Sequence, residues 1–296
     1  MTSPKISIGM PVYNGAHFIT QALNSLLSQT YQNFELIISD NGSTDDTKEI
    51  CLNFAARDSR VRFSQNDSNV GAIKNFIRVL DLASADYFMW AAHDDIWEPK
   101  YIESLLSVME NDPEVIIAFS LFDAIDELNH TLVSYPTILE LPNDDLYLRL
   151  ANYIKQHESL GKANPFYSLM RKESLKQALA NTLSLLQKNV WASDMLFVFS
   201  MLGLGKFRVV PENLFHKRII VNSSAANFPE DWESYFDGYE YLIIRHEVLN
   251  DMQKKQLLHD VFIRRMEQRL SQTVRVFNQV KAGSMKKIKS LVQAWL

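Results

Sequence analysis

Along the first 120 residues, short apolar runs alternate with longer amphipathic segments. The run at 5–13 is rich in β-branched residues, which is typical of a buried strand, whereas the next segment places Ile19, Leu23 and Leu26 at helical spacing. This alternation continues to residue 120. It predicts strands at 5–13, 33–40, 61–66, 86–92 and 115–120, and helices at 16–30, 45–58, 69–84 and 99–112.

Strand–helix alternation of this kind predicts a mostly parallel sheet with right-handed crossovers and helices on both faces. The alternation weakens after about residue 125, and the chain is mostly helical from Trp232 onward. The intervening elements are a strand or hairpin at 129–136, helices at 143–156 and 193–205, and two strands within 206–221 that are joined through Pro211, Glu212 and Asn213.

The composition is that of a globular protein, since 47% of the 296 residues are apolar and 22% are charged. A net charge of −5 gives no whole-chain signature of nucleic-acid binding. The one cysteine, Cys51, excludes an intrachain disulfide, favours a reducing compartment and is interpreted as a core thiol. The N-terminal apolar run is too short for a signal peptide, and no run of about 18 apolar residues occurs. We therefore expect a cytosolic protein.

Polar clusters follow three predicted strands where each strand ends: Tyr13–Asn14, Asp40–Asn41 and Asp94–Asp95. Ligands of open parallel sheets bind beyond the carboxyl ends of the strands, so we expect these clusters to share one crevice. Mg²⁺ or Mn²⁺ would relieve the repulsion between adjacent carboxylates and would favour a phosphate-bearing ligand. Helix capping by the aspartates is the alternative. The chain has no glycine-rich phosphate loop, so side chains and a metal would have to hold a nucleotide.

The segments "ISIGMPVYNGAHFITQALNSLLSQTYQNFELIISDNGSTDDT" and "NVGAIKNFIRVLDLASADYFMWAAHDDIWEPKYIESLL" resemble the donor-binding half of family 2 glycosyltransferases. The resemblance implies a glycosyltransferase-A (Rossmann-like) fold, with a mixed, mostly parallel sheet, flanking helices and a helical C-terminal extension. It divides the chain into a nucleotide-sugar-binding half at 1–125, an acceptor-binding half of the same domain at 126–225, and the extension at 226–296.

Carried over position by position, the resemblance places the nucleotide against residues that follow the first strands. Asn41 stands where the family usually has an acid that hydrogen-bonds the base, which leaves the base identity open. Lys74 has a solvated helix face as its alternative role. The residues implied to bind the nucleotide are Pro11, Tyr13, Asn14, Asp40, Asn41 and Lys74.

The acidic metal motif of the family matches His93, Asp94 and Asp95. The resemblance implies that Asp95 ligates Mg²⁺ or Mn²⁺ and that Asp94 approaches the ribose, while His93 is more simply a structural residue. His216 is a further metal-ligand candidate, and Arg218 beside it is a candidate for contact with the diphosphate.

In the acceptor half, the resemblance implies that Asp194 is the general base, although the preceding residue is serine rather than the usual glutamate. A capping role is the alternative for Asp194. Asn164, Tyr167 and Trp191 are candidates for the donor-sugar pocket, and Trp191 could equally pack in the core.

Together these parts imply an inverting, metal-dependent transfer of a sugar from a UDP, dTDP or GDP donor to a glycan or lipid-linked acceptor. The alternatives are a sugar-nucleotide-binding protein without transferase activity and a nucleotidyltransferase of similar fold. No nucleic-acid partner is expected.

The last part of the chain has a different charge balance, with eight basic residues and one acidic residue from Arg264 to Leu296. Ile288, Leu291, Val292 and Trp295 recur at helical spacing among lysines. This pattern predicts a helix on an anionic membrane surface, and hence a peripheral location on the inner face of the membrane. Docking on its own domain, or on a second subunit in a homodimer, is the alternative.

Overall fold

The computed structural model describes residues 3–187, 192–220 and 233–271. The strands are β1 (Ile6–Val12), β2 (Phe34–Asp40), β3 (Val61–Gln65), β4 (Tyr87–Trp90), β5 (Ile96–Trp97), β6 (Val115–Ile125), β7 (Thr131–Ser134), β8 (Leu169–Arg171) and β9 (Lys206–Arg218). The helices are α1 (Ile19–Leu27), α2 (Thr47–Arg57), α3 (Ala72–Asp81), α4 (Tyr101–Asn111), α5 (Leu146–Lys155), α6 (Lys172–Gln187), α7 (Ser193–Leu204), α8 (Glu233–Arg245) and α9 (residues 251–271).

The first half of the sheet is parallel, as the alternation predicts. The order β3–β2–β1–β4 places β1 between two parallel neighbours, and every residue of β1, β2 and β4 is buried. Continuous apolar strands are buried because the crossover helices cover both faces of the sheet. The carboxyl ends of β1, β2 and β4 consequently meet at one edge.

The second half of the sheet is mixed. β8 pairs antiparallel with both β4 and β6, β6 and β9 are parallel, and β5 and β7 add antiparallel pairings. The chain beyond residue 125 thus completes the same sheet, which confirms the predicted mixed, mostly parallel architecture.

The prediction of two strands within 206–221 is wrong in one respect. β9 is one strand in which Val210 pairs with Ser120 and Asn213 pairs with Leu121, so two residues bulge out of the register. Pro211 lies in this bulge, where its missing N–H costs no ladder hydrogen bond.

The core follows the sequence pattern, and Cys51 is fully buried as interpreted. Burial raises the pKa of its thiol to about 12, which suits an inert core residue. Helix α7 is buried along most of its length and packs against α5, α6 and α8. Within the described ranges, no helix is both long enough and apolar enough to cross a membrane. The predicted amphipathic tail lies outside the described residues.

Candidate active site

A crevice of about 330 Å³ opens at the edge where β1, β2 and β4 end. Its walls include Pro11 and Tyr13 from the end of β1 and Asn41 from the end of β2. Asp94, which follows β4, completes this edge, so all three predicted clusters contribute to one cavity. The Tyr13 side chain is 44% exposed and therefore available to a ligand.

Asn14 and Asp40, two of the predicted nucleotide-binding residues, build the loops around the crevice. Asn14 has a left-handed φ of 49°, and its side-chain oxygen accepts a hydrogen bond from the Thr44 N–H at 2.9 Å. The buried Asp40 carboxylate accepts from the Ser43 N–H and hydroxyl and from the Gln65 amide. Neither residue is among those that line the crevice, and both side chains hydrogen-bond within the loops around it.

Asn41 lies at the floor of the cavity in a network of amide groups. Its oxygen accepts from the Asn66 amide and the Val70 N–H at 3.0 Å each, and its amide donates to the Asn69 oxygen at 2.9 Å. An ionised aspartate here could accept but could not donate to Asn69, so this network depends on the amide.

Lys74 does not face the crevice. It is exposed on the other side of α3, beside Arg78 and Asp81 at a separate surface cavity, whereas Asn75 and Phe76 face the crevice. For Lys74, the structure therefore favours a position on a solvated helix face over contact with the nucleotide.

The two adjacent aspartates face different surroundings. Asp95, the predicted metal ligand, has no exposed surface, and its two oxygens accept from the Arg218 N–H at 2.9 Å and the Lys217 ammonium at 3.3 Å. Asp94 lines the crevice, and its carboxylate accepts no hydrogen bond from the described part of the chain. Of the two, Asp94 therefore faces the crevice, whereas Asp95, the residue expected to ligate a metal, is internal.

Burial raises the pKa of Asp95 to about 6. Burial also opposes the charge of Lys217, but attraction to Asp95 outweighs it and raises the pKa of that lysine. Both groups are consequently charged at neutral pH and form an ion pair.

His216 and Arg218, the candidates for the metal and the diphosphate, are both held by other groups of the protein. The His216 ring bonds the Glu98 carboxylate at 2.8 Å and does not line the crevice. The buried Arg218 guanidinium lies over the Phe18 ring at 4.5 Å and donates to the Asp94 and Asp126 carbonyl oxygens. Its hydrogen bond to the Asp94 carbonyl oxygen holds the backbone beside the two aspartates, and Arg218 does not line the crevice.

Sequence reasoning missed Lys217, which lies between these two residues and lines the crevice. Successive side chains of a strand point to opposite faces, so Lys217 faces the other side of β9 from its two neighbours. The Lys217 ammonium is 4.7 Å from the centre of the Tyr167 ring. That alternation was the available signal, but its phase could not be read from the sequence.

A second cavity of about 450 Å³ adjoins the first and contains Asp194. Ala72, Phe76 and Tyr167 line both cavities, and the rest of the second wall is largely apolar, including Trp90, Phe166 and Phe197. Phe166 and Trp90 stack at 4.5 Å.

Asp194 is partly buried in the first turn of α7, and its carboxylate accepts from the Met195 N–H at 2.8 Å. Burial raises its pKa above the ordinary value of 3.8. Tyr167, a candidate for the donor-sugar pocket, lines both cavities. Asn164 instead donates to the Gly161 carbonyl oxygen and lines neither cavity, and Trp191 lies outside the described residues.

A divalent metal fits this site only in part. Within 3–187, 192–220 and 233–271, no three His, Cys, Asp or Glu residues cluster as a metal centre. Asp94 alone fits Mg²⁺ or Mn²⁺ held jointly with a substrate diphosphate, because such ions use one or two carboxylates plus phosphate oxygens. The oxygens of Asp95 are already engaged by Lys217 and Arg218.

Residues 7–179 match the model of the family described as "Glycosyl transferase family 2". The chain belongs to this family. Curated relatives include an uncharacterized glycosyltransferase of Rickettsia typhi, 34% identical over 131 residues, or 44% of this chain and 40% of the relative. Glycosyltransferase GlyG of Streptococcus pneumoniae is 36% identical over 116 residues, or 39% of this chain and 38% of the relative. This chain thus spans about two fifths of the length of these curated relatives.

Solved structures confirm the glycosyltransferase-A fold. Residues 1–349 of S. aureus TarS in complex with UDP-GlcNAc superpose with a TM-score of 0.68 at 18% identity, covering 89% of this chain and 73% of that 1–349 chain. A mannosyltransferase from Pyrobaculum calidifontis in complex with GDP-Man and Mn²⁺ gives a TM-score of 0.58 at 15% identity, covering 88% of this chain and 69% of that one.

Proposed function

We propose that this family 2 chain transfers a sugar from a nucleoside-diphosphate donor to a hydroxyl of a glycan or lipid-linked acceptor, with inversion at the anomeric carbon. The observation that carries the proposal is the pair of adjoining cavities. One has Asp94 and Lys217 for the donor, the other has Asp194, and Tyr167 lines both.

The first cavity suits the nucleoside diphosphate. Tyr13 offers an exposed aromatic face for the base, and the Asn41 amide lies on the same wall. Lys217 brings a positive charge to the position proposed for the diphosphate. The complexes of the structural neighbours with UDP-GlcNAc and GDP-Man support a donor of this class and leave the base open.

The second cavity suits the reacting sugars. Its aromatic walls favour the apolar face of a pyranose ring, and Asp194 is the carboxylate among its described lining residues. Asp194 takes the proton of an acceptor hydroxyl while that oxygen bonds to the anomeric carbon. The bond from this carbon to the diphosphate oxygen breaks, and the nucleoside diphosphate leaves with the electron pair. This single displacement inverts the anomeric centre and needs no protein nucleophile.

A Mg²⁺ or Mn²⁺ ion, which Asp94 would hold, would neutralise negative charge on the diphosphate. Lys217 contributes to the same end from the protein, because its ammonium lines the cavity and is protonated at neutral pH.

Asp194 also distinguishes the alternatives. A silent sugar-nucleotide-binding protein would need no partly buried carboxylate in the second cavity.

We further propose a cytoplasmic enzyme whose basic tail contacts an anionic membrane near a lipid-linked acceptor. Liposome flotation of the chain with and without residues 281–296 tests this, and equal flotation would reject it.

A thermal-shift panel of UDP-, GDP- and dTDP-sugars tests the donor class and the metal together. We expect one donor family to raise the melting temperature by several degrees, and Mn²⁺ to increase the shift. In Asp94→Asn, the Mn²⁺-dependent part should vanish while a smaller nucleotide shift remains. Glu110→Gln is the control, because that carboxylate pairs with Lys5 away from the crevice. No shift with any donor would contradict the proposed function.

A further inference from the structure

A buried cluster of charged and tyrosine side chains adjoins α7, the helix that begins with Ser193 and Asp194. Lys162 is fully buried, and its ammonium lies 3.1 Å from the Glu158 carboxylate. The ammonium also donates to the Gln156 carbonyl oxygen at 2.8 Å. Three aromatic rings surround it at 5.2, 5.9 and 5.8 Å, those of Tyr153, Tyr235 and Tyr239. Such a charge is tolerated in the interior only because it is paired and hydrogen-bonded.

The C-terminal helices complete this cluster. Tyr235 and Tyr239 belong to α8, and Arg264 of α9 donates to the second oxygen of Glu158 at 2.6 Å. Burial opposes ionisation of Glu158, but Lys162 and Arg264 lower its pKa below the ordinary value. The Glu158 carboxylate therefore lies between two cations, Lys162, which is near it in sequence, and Arg264 of α9. Loss of either partner would leave a buried charge partly uncompensated.

Two contacts connect the cluster to the proposed active site. The Tyr153 hydroxyl lies 2.9 Å from the Lys162 carbonyl oxygen and 3.1 Å from the Met195 carbonyl oxygen. Met195 directly follows Asp194, and its N–H is the donor to the Asp194 carboxylate. The Tyr235 hydroxyl also contacts the Met195 sulfur at 3.4 Å.

The cluster is also close in sequence to a second element that lines the second cavity. Lys162 lies two positions before the 3₁₀-helix Asn164–Tyr167, which supplies Phe166 and Tyr167 to the lining. The buried network is therefore linked both to α7, which carries Asp194, and to this 3₁₀-helix.

We propose that the C-terminal helices α8 and α9 position Asp194 through this cluster, with Tyr153 as the positioning residue that joins it to α7. The proposal rests on the proposed function only in taking Asp194 as the base. A displacement of about 1 Å at a reacting group can cost on the order of 100-fold in rate, so a support outside the cavity can control turnover.

Tyr153→Phe keeps the ring and removes the hydroxyl that contacts α7. We expect kcat to fall about tenfold with the donor Kd changed less than about twofold, because the donor cavity does not include α7. Hydrogen exchange measured by mass spectrometry should rise at 193–197 and remain unchanged at the donor loops. Tyr87→Phe is the matched control, since it removes a buried hydroxyl bonded to Arg171 and should change neither measurement.

Arg264→Met tests the link from α9, and it should raise exchange at 193–197 in the same way. Wild-type kcat and wild-type exchange in Tyr153→Phe would overturn the proposal, as would a uniform rise of exchange over the chain. Tyr235→Phe gives a second route to the same comparison if Tyr153→Phe does not fold. If the wild type transfers no sugar but exchange responds as expected, the proposed function fails and the positioning link stands.

Discussion

Replacement of Asp194 by asparagine is expected to lower kcat by about 10²–10⁴-fold, the range that general acid–base catalysis contributes. The amide keeps the shape of the side chain but cannot take a proton from the acceptor hydroxyl. Donor affinity should change less than about twofold, because Asp194 does not line the crevice that is proposed to hold the nucleoside diphosphate. Single-turnover transfer assays together with calorimetric donor titration separate these two quantities.

The pH dependence of the wild type provides an independent check on this role. A base must be unprotonated to act, and burial raises the pKa of Asp194 above 3.8. The rate should therefore be lost as the pH falls through a value above that of an ordinary aspartate. Asp144→Asn is the control, because that exposed carboxylate pairs with Arg208 at 2.7 Å and lines neither cavity. Undiminished transfer and an unchanged acid limb in Asp194→Asn would remove Asp194 from the mechanism.

The sequence predicted the shared crevice because parallel strands deliver their carboxyl ends to one edge. Tyr13, Asn41 and Asp94 all reach it, as this rule requires. Local periodicity was enough, since the strands that carry them are continuous apolar runs between clear turns. Tyr167 and Asp194 also reach the site, although their segments lie far away in sequence.

The direction of individual side chains could not be predicted in the same way. A shift of one residue turns every side chain of a strand to the other face, and this phase separates Lys217 from His216 and Arg218. The same holds for Lys74, because tertiary packing sets the rotation of α3 and turns this side chain away from the crevice. The hydrogen bond from the Gln65 amide to the Asp40 carboxylate could not be predicted either, because Gln65 is distant in sequence and the contact depends on tertiary structure.

The sequence also could not show that the two adjacent aspartates have different surroundings, with Asp94 at the crevice and Asp95 buried beside Lys217. Lys217→Met should lower the free energy of unfolding by about 3–5 kcal/mol, because it leaves the buried Asp95 carboxylate without its cation. Adding Asp95→Asn in the same chain should recover most of this loss, since the buried charge is then also removed. Urea unfolding of the two single variants, the double variant and Asp94→Asn measures the coupling; Asp94→Asn should change stability by less than about 1 kcal/mol.

Across the Lys217 and Asp95 variants, donor affinity should not change in parallel with the free energy of unfolding. The Lys217 ammonium lines the crevice where the diphosphate is proposed to bind, so the double variant should regain its stability and still bind the donor about tenfold more weakly than wild type. A nucleoside without phosphates should bind the double variant and the wild type equally. If donor affinity recovers together with stability, Lys217 acts only as the partner of Asp95. If Lys217→Met costs less than about 1 kcal/mol, the Asp95 carboxylate is not held by this ion pair. The double variant therefore separates the two roles of Lys217, because removing Asp95 along with Lys217 leaves no unpaired buried carboxylate, so any remaining loss of donor affinity reports the missing ammonium.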